Sequence, residues 1–213
     1  MKRLGLALIA MLVLVPVALG RPAAAGAHPI GNFSVNRYAR LDFEVDRVRI
    51  RYIVDMAEVP AFQELQSIDR DRDGQPGAAE AGGYVAARLP ALAAGLDIRG
   101  GGTRVVLSPL PGAELSFPEG QGGLRTLRLV AGFEGALPSG WQDGIEVSVR
   151  DNNYAGRLGW KEIVVRAGAG VALRAPPELA RDLSNELTAF PPDLLKSPLD
   201  VREARFAIAA GHS

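Results

Sequence analysis

Residues 33–45, FSVNRYARLDFEV, place Phe33, Val35, Arg37, Ala39, Leu41, Phe43 and Val45 on one side of an extended chain. Alternation with period two is the mark of a half-buried strand, whose side chains point to opposite faces in turn. The following DRVRIRYIVDM repeats it through Val48, Ile50, Tyr52 and Val54, so two paired strands are expected, joined near Val45-Asp46-Arg47. The period then lengthens. Phe62, Leu65 and Ile68 recur at spacings of three within 59–68, and Tyr84, Val85, Leu89 and Leu92 mark a second helical stretch over 78–94.

Shorter strands are predicted at 96–99, 103–110, 124–133, 144–150, 161–166 and 170–174, separated by RGGG, PEGQGG, LPSGWQDG and RAGAG. Several short strands at such spacing predict an α+β fold: an antiparallel, β-sandwich-like domain with an inserted helix–loop–helix. From Ala175 onward prolines interrupt the chain. Amphipathic pieces around 178–189 and 199–210 read there as an irregular, partly helical tail outside the core. The expected organisation is therefore a leader at 1–27, a β-rich domain over 28–175 with its helical insert at 58–95, and a tail over 176–213.

The leader changes where the protein is expected to work. Lys2 and Arg3 precede an apolar run from Leu4 to Leu19, and RPAAAGAH then offers Ala25 and Ala27 before His28. That is the layout of a secretory signal peptide with an A-x-A cleavage site, and the run is short of the ~20 residues a spanning helix needs. An exported chain, periplasmic or on the extracytoplasmic face of a membrane, is expected. Its 24 basic and 24 acidic residues balance, and no basic stripe interleaves with aromatics, so nucleic acid is not an expected partner. With no cysteine, disulfides, thiolate metal sites and cysteine nucleophiles are excluded, and two histidines are too few for a three-histidine zinc site. There is no G-x-S-x-G elbow, and no base stands beside a nucleophile, so an enzyme is not expected.

Candidate chemistry concentrates between the two predicted helices. DRDRDGQPGAAE, residues 69–80, puts Asp69, Asp71 and Asp73 at loop positions 1, 3 and 5, Gly74 at 6 and Glu80 at 12. This is the calcium-loop spacing of the EF-hand. Ca²⁺ takes 6–8 hard oxygens at about 2.3–2.6 Å; the aspartates turn inward, Gly74 permits the chain reversal, Gln75 offers its backbone carbonyl and Glu80 both carboxylate oxygens. The other reading is a solvated acidic turn. Gly77 at position 9 has no side-chain ligand, so a water fills that vertex. Pro76 stands at position 8, where paired hands make a β-contact through an N–H that proline lacks, so the loop is expected to work alone and to bind weakly, near 10⁻⁴–10⁻³ M.

A second candidate is His28. Cleavage after Ala27 would leave it at the terminus, where an α-amino nitrogen and an imidazole chelate Cu²⁺, Ni²⁺ or Co²⁺, with Asp55 or Glu58 completing the shell; the preferred reading is that it is merely where the signal peptidase cuts. The stretch RDNNYAGRLGWKEIVVRAG, 150–168, reads either as a binding edge or, preferably, as a turn with Tyr154 and Trp160 anchored in the core and Lys161 and Glu162 at the rim.

Four segments, AHPIGNFSVNRYARL, VRIRYIVDMAEVPAFQEL, DNNYAGRLGWKEIVV and LLKSPLDVREARF, together resemble the extracytoplasmic N-terminal region that precedes the membrane domain of bacterial nickel/cobalt transporters of the NicO type. The resemblance spans about His28 to Phe206. It implies an exported domain working beside a metal permease domain or subunit. After Phe206 no second apolar run follows, so the pore itself is expected to come from elsewhere, and no transport residue carries over.

Overall fold

The computed structural model describes residues 30–211, so the expected leader and both histidines, His28 and His212, lie outside the described residues. In chain order the elements are β1 (Val35–Phe43), β2 (Arg47–Met56), α1 (Glu58–Ile68), α2 (Ala78–Gly95), β3 (Leu96–Gly100), β4 (Thr103–Arg104), β5 (Ser108–Pro109), β6 (Glu114–Ser116), β7 (Leu127–Ala136), β8 (Ile145–Asp151), β9 (Lys161–Ala167), β10 (Val171–Arg174) and β11 (Glu203–Ala210). The fold is α+β, with two sheets and one helical hairpin between β2 and β3.

The first sheet runs β5-β7-β2-β1-β9, with β6 also on β7; the second runs β10-β11-β8-β3-β4. All pairs are antiparallel except β1 with β9. The period-two pattern of the first two strands is realised as predicted: Val35 pairs with Met56 and Phe43 with Val48, which places Ala39, Leu41, Ile50, Tyr52 and Val54 on one buried face. That face meets Ile98, Val147, Val149, Phe206 and Ile208 of the second sheet in a single apolar cluster. Phe43 and Phe206 touch edge to face across it, ring centres 5.3 Å apart.

Gly159 allows the parallel pair to extend beyond β9. Its φ is +138°, and a Cβ there would stand 2.5 Å from the Val35 carbonyl oxygen. Only glycine lets the 158–160 backbone lie so close to β1, where the Val35 N–H donates to the Leu158 carbonyl and the Arg37 N–H to that of Trp160, each at 2.8 Å.

Several expectations are corrected. The segment 103–110 is not one strand. Thr103–Arg104 pairs with β3 and Ser108–Pro109 with β7, so this stretch crosses from one sheet to the other, with Val105 buried and Val106 exposed. Proline lacks the ladder N–H and belongs on a sheet edge, where Pro109 sits. Phe33, Val45 and Phe62 complete apolar stripes in the sequence yet are exposed; on α1 the buried contacts come from Pro60, Ala61 and Ile68.

The largest correction concerns the expected C-terminal tail. Residues 203–210 form β11, an inner strand between β10 and β8, with Ala204, Phe206 and Ile208 buried. Residues 178–199 hold only short 3₁₀ turns, yet they cover the outer face of the first sheet, where Leu183, Leu187, Phe190, Leu194 and Leu199 pack on Tyr38, Ile53, Trp160 and Val164. An alanine-rich alternation such as EARFAIAA is short of β-branched residues, so its strand character shows only once two neighbours flank it.

Candidate metal centre

The acidic loop lies between two helices whose ends are set locally. Asp69 follows α1 as its cap, its N–H donating to the Leu65 carbonyl at 2.9 Å. Glu80 occupies the third position of α2, and its Oε2 accepts from the Gly77 N–H at 2.9 Å, satisfying a donor that the helix start would otherwise leave open. Between them Arg72 and Gly74 take positive φ, 61° and 89°, and turn the chain back on itself.

The aspartates close the turn from inside. Asp69 accepts from the Asp73 N–H at 3.1 Å and from the Gly74 N–H at 3.0 Å, and Asp71 accepts from Asp73 at 3.2 Å. Asp73 in turn accepts from the Gln75 N–H at 2.8 Å. Each of the three aspartates keeps a carboxylate oxygen within 4.8 Å of the others. Two oxygens on opposite sides of one Ca²⁺ stand about 4.6–5.2 Å apart, so the spacing suits a single hard cation.

Glu80 is not gathered into that triad. Its Oε1 accepts from the backbone N–H groups of Arg70 at 2.6 Å and Asp71 at 3.3 Å. The Gly77 and Arg70 N–H groups hold its carboxyl below the usual glutamate range. Asp71 moves the other way: the Asp73 N–H favours its carboxylate, but lost hydration and the charges of Asp73 and Glu80 outweigh that bond and raise its pKa. Three carboxylates held together with a fourth close by is the electrostatic situation that a divalent cation relieves. Gln75 is exposed in the same turn.

The hairpin is tied together below the loop. Glu64 on α1 accepts from the Tyr84 hydroxyl at 3.0 Å and from Arg88 on α2, and a groove of about 270 Å³ lined by Ile68, Arg70, Glu80, Tyr84 and Arg88 runs between the helices. Of the carboxylates named as companions of His28, Asp55 meets Arg128 at 3.3 Å and buried Glu58 accepts from the Gln121 N–H at 2.9 Å; His28 itself lies outside the described residues.

The segment 150–168 is more interior than a turn with a charged rim. Trp160 is fully buried as expected, and Lys161 and Glu162, expected at the rim, are buried too. Glu162 accepts from the Trp160 indole N–H at 2.8 Å, the Leu183 N–H at 2.6 Å and the Ser184 hydroxyl; Lys161 pairs with Asp200 at 2.8 Å. A second interior group escapes sequence reasoning altogether. Arg37 stands 3.0 Å from Asp151, which also accepts from the Tyr52 hydroxyl and the Asn153 N–H. The only signal was an arginine inside an otherwise apolar stripe.

No protein-family model matches the chain, and no curated protein matches its sequence.

Proposed function

We propose that the protein is a non-catalytic, exported domain that binds Ca²⁺ through an EF-hand-like loop at 69–80. The observation that carries this reading is the convergence of the Asp69, Asp71 and Asp73 carboxylates between two helices. Asp69, Asp71 and Asp73 supply one oxygen each and Gln75 its carbonyl; a water stands beside Gly77, and Glu80 adds its carboxylate by releasing the backbone N–H groups that it now holds. That exchange costs the start of α2 its cap, a further reason for affinity near 10⁻⁴–10⁻³ M, the range of extracellular modules. The resemblance of four segments to the extracytoplasmic region of nickel/cobalt transporters supports a place beside a metal permease, where calcium braces the hairpin while Ni²⁺ or Co²⁺ is the cargo.

Calorimetric titration of the purified protein with CaCl₂ tests the assignment. Saturable binding below about 1 mM is expected, weakened at least tenfold by Asp69→Ala or Glu80→Gln. Absence of binding up to about 10 mM, or equal binding by these variants, overturns it.

A further inference from the structure

The outer faces of the two sheets differ. Segment 178–199 covers that of the first sheet, whereas on the second Arg99, Glu146, Arg150, Glu203 and Arg205 are exposed. Ser148 on β8 stands directly opposite Arg99 of β3 on one side and Arg205 of β11 on the other. Opposed residues on antiparallel neighbours point to the same face, so two arginines flank one small hydroxyl in a single row across three strands. Neighbouring strands lie about 4.8 Å apart, which sets the two arginine stems roughly 10 Å from each other, a gap that their long arms can close from both sides.

The space between them is open. A trough of about 490 Å³ is lined by Arg99, Gly102, Glu146, Ser148, Arg205 and Ala207, and an adjoining one of about 210 Å³ shares Arg99, Ser148 and Arg205 with it. The charge there is also unmet. Among the described residues Arg205 pairs with no acid, and the Ser148 hydroxyl has no hydrogen-bond partner. Arg99 shares the one Asp97 carboxylate with Arg104, at 3.1 and 3.7 Å respectively. Glu146 stands in the next row, opposite Ala207, and pairs with neither arginine of the trough. Two cations against one acid make the trough positive, although residues 30–211 as a whole are acidic: with Lys2, Arg3 and Arg21 set aside, 21 basic residues face 24 acidic ones.

We propose that the Arg99–Ser148–Arg205 row binds a compact tetrahedral oxyanion of the phosphate or sulfate class. Guanidinium N–H groups reaching in from two sides and a hydroxyl from below call for acceptor oxygens that point in several directions. A tetrahedral anion has them, whereas a planar carboxylate presents its two oxygens in one fork. Glu146 bounds the site and opposes the ligand by like charge. The trough is open to solvent, which screens its charges, so the affinity lies in the millimolar range. The site is on the second sheet, apart from the calcium loop between α1 and α2.

Heteronuclear NMR of the full chain tests it, with sodium phosphate titrated at neutral pH against sodium chloride of equal ionic strength. Saturating shifts are expected in the Ser148 and Arg205 amides and in the Arg99 and Arg205 Nε–H signals. Arg205→Gln is expected to weaken binding about tenfold, by loss of a charge-assisted pair. Glu146→Gln, which removes the opposing charge, is expected to tighten it about threefold, while Asp193→Asn, an exposed acid on the cover of the other sheet, leaves it unchanged. All three are surface substitutions that leave the core intact. A parallel titration with O-phosphoserine identifies the source of the oxyanion: tighter binding than inorganic phosphate supports a phosphate group borne on an organic molecule, and equal or weaker binding supports the free ion. Shifts that are linear in phosphate, shifts as large at the other exposed arginines, or one midpoint shared by wild type, Arg205→Gln and Glu146→Gln overturn the proposal.

Discussion

Glu162 satisfies three donors with one carboxylate inside the protein: the Trp160 indole, the Leu183 backbone and the Ser184 hydroxyl. It joins β9 to the segment that crosses the outer face of the first sheet, so its loss strands buried donors on both sides. Glu162→Ala is expected to destabilise the protein by about 3 kcal/mol, measured by urea unfolding, whereas Glu162→Gln, which keeps an acceptor, costs less. A loss within experimental error for the alanine variant would show that the carboxylate is not needed to hold 183–184. At this scale the sequence is legible where chemistry depends on local spacing. Asp69, Asp71 and Asp73 close their turn through bonds no longer than five residues in sequence. The interior charges were not legible, because Arg37 meets Asp151 across two sheets and Glu162 meets Ser184 through a long loop.

The covering of the outer sheet face rests on a short element with no regular secondary structure. Asn185, Glu186 and Leu187 run through three consecutive left-handed residues, with φ of 47°, 57° and 63°. That turn aims the Glu186 carboxylate at Arg40 and Arg51, each at 2.8 Å, and buries Leu187 against the Tyr38 and Trp160 layer. Because Leu187 is buried in that layer, Leu187→Ala is expected to cost about 2–5 kcal/mol and to shift the near-ultraviolet signal of Trp160. Chemical denaturation of the variant checks the first, circular dichroism the second. Helices α1 and α2 and the strands through β2 follow from their periodicity. The 103–110 segment did not, since Thr103–Arg104 folds back on the adjacent β3 while Ser108–Pro109 pairs with residues 133–134 of β7, over twenty residues away.

For the molecule as a whole, β11 holds the second sheet together by pairing with both β8 and β10. A chain that ends at Arg202 removes the inner strand and exposes the faces of its neighbours, so it is expected to yield no cooperative melting transition; a sharp transition would show that the sheet closes without it. Acid stability also depends on the C-terminal segment. The Lys161 bond holds the Asp200 carboxyl below the ordinary value of 3.8, so its contribution is present above that value and lost as pH falls through the lowered one. Melting temperatures of wild type and Asp200→Asn are expected to converge below pH 3.8, the variant showing the smaller acid loss; parallel curves down to pH 2 would contradict this. Local periodicity and local spacing determined, from the sequence alone, that this chain is α+β, where its first strands and both helices run, and which acids share one turn. Tertiary structure alone decided that the last strand is interior, that an irregular segment seals one sheet, and that Arg37, Asp151 and Tyr52 meet, because those outcomes depend on contacts between residues far apart in the chain, whose energies no local pattern encodes.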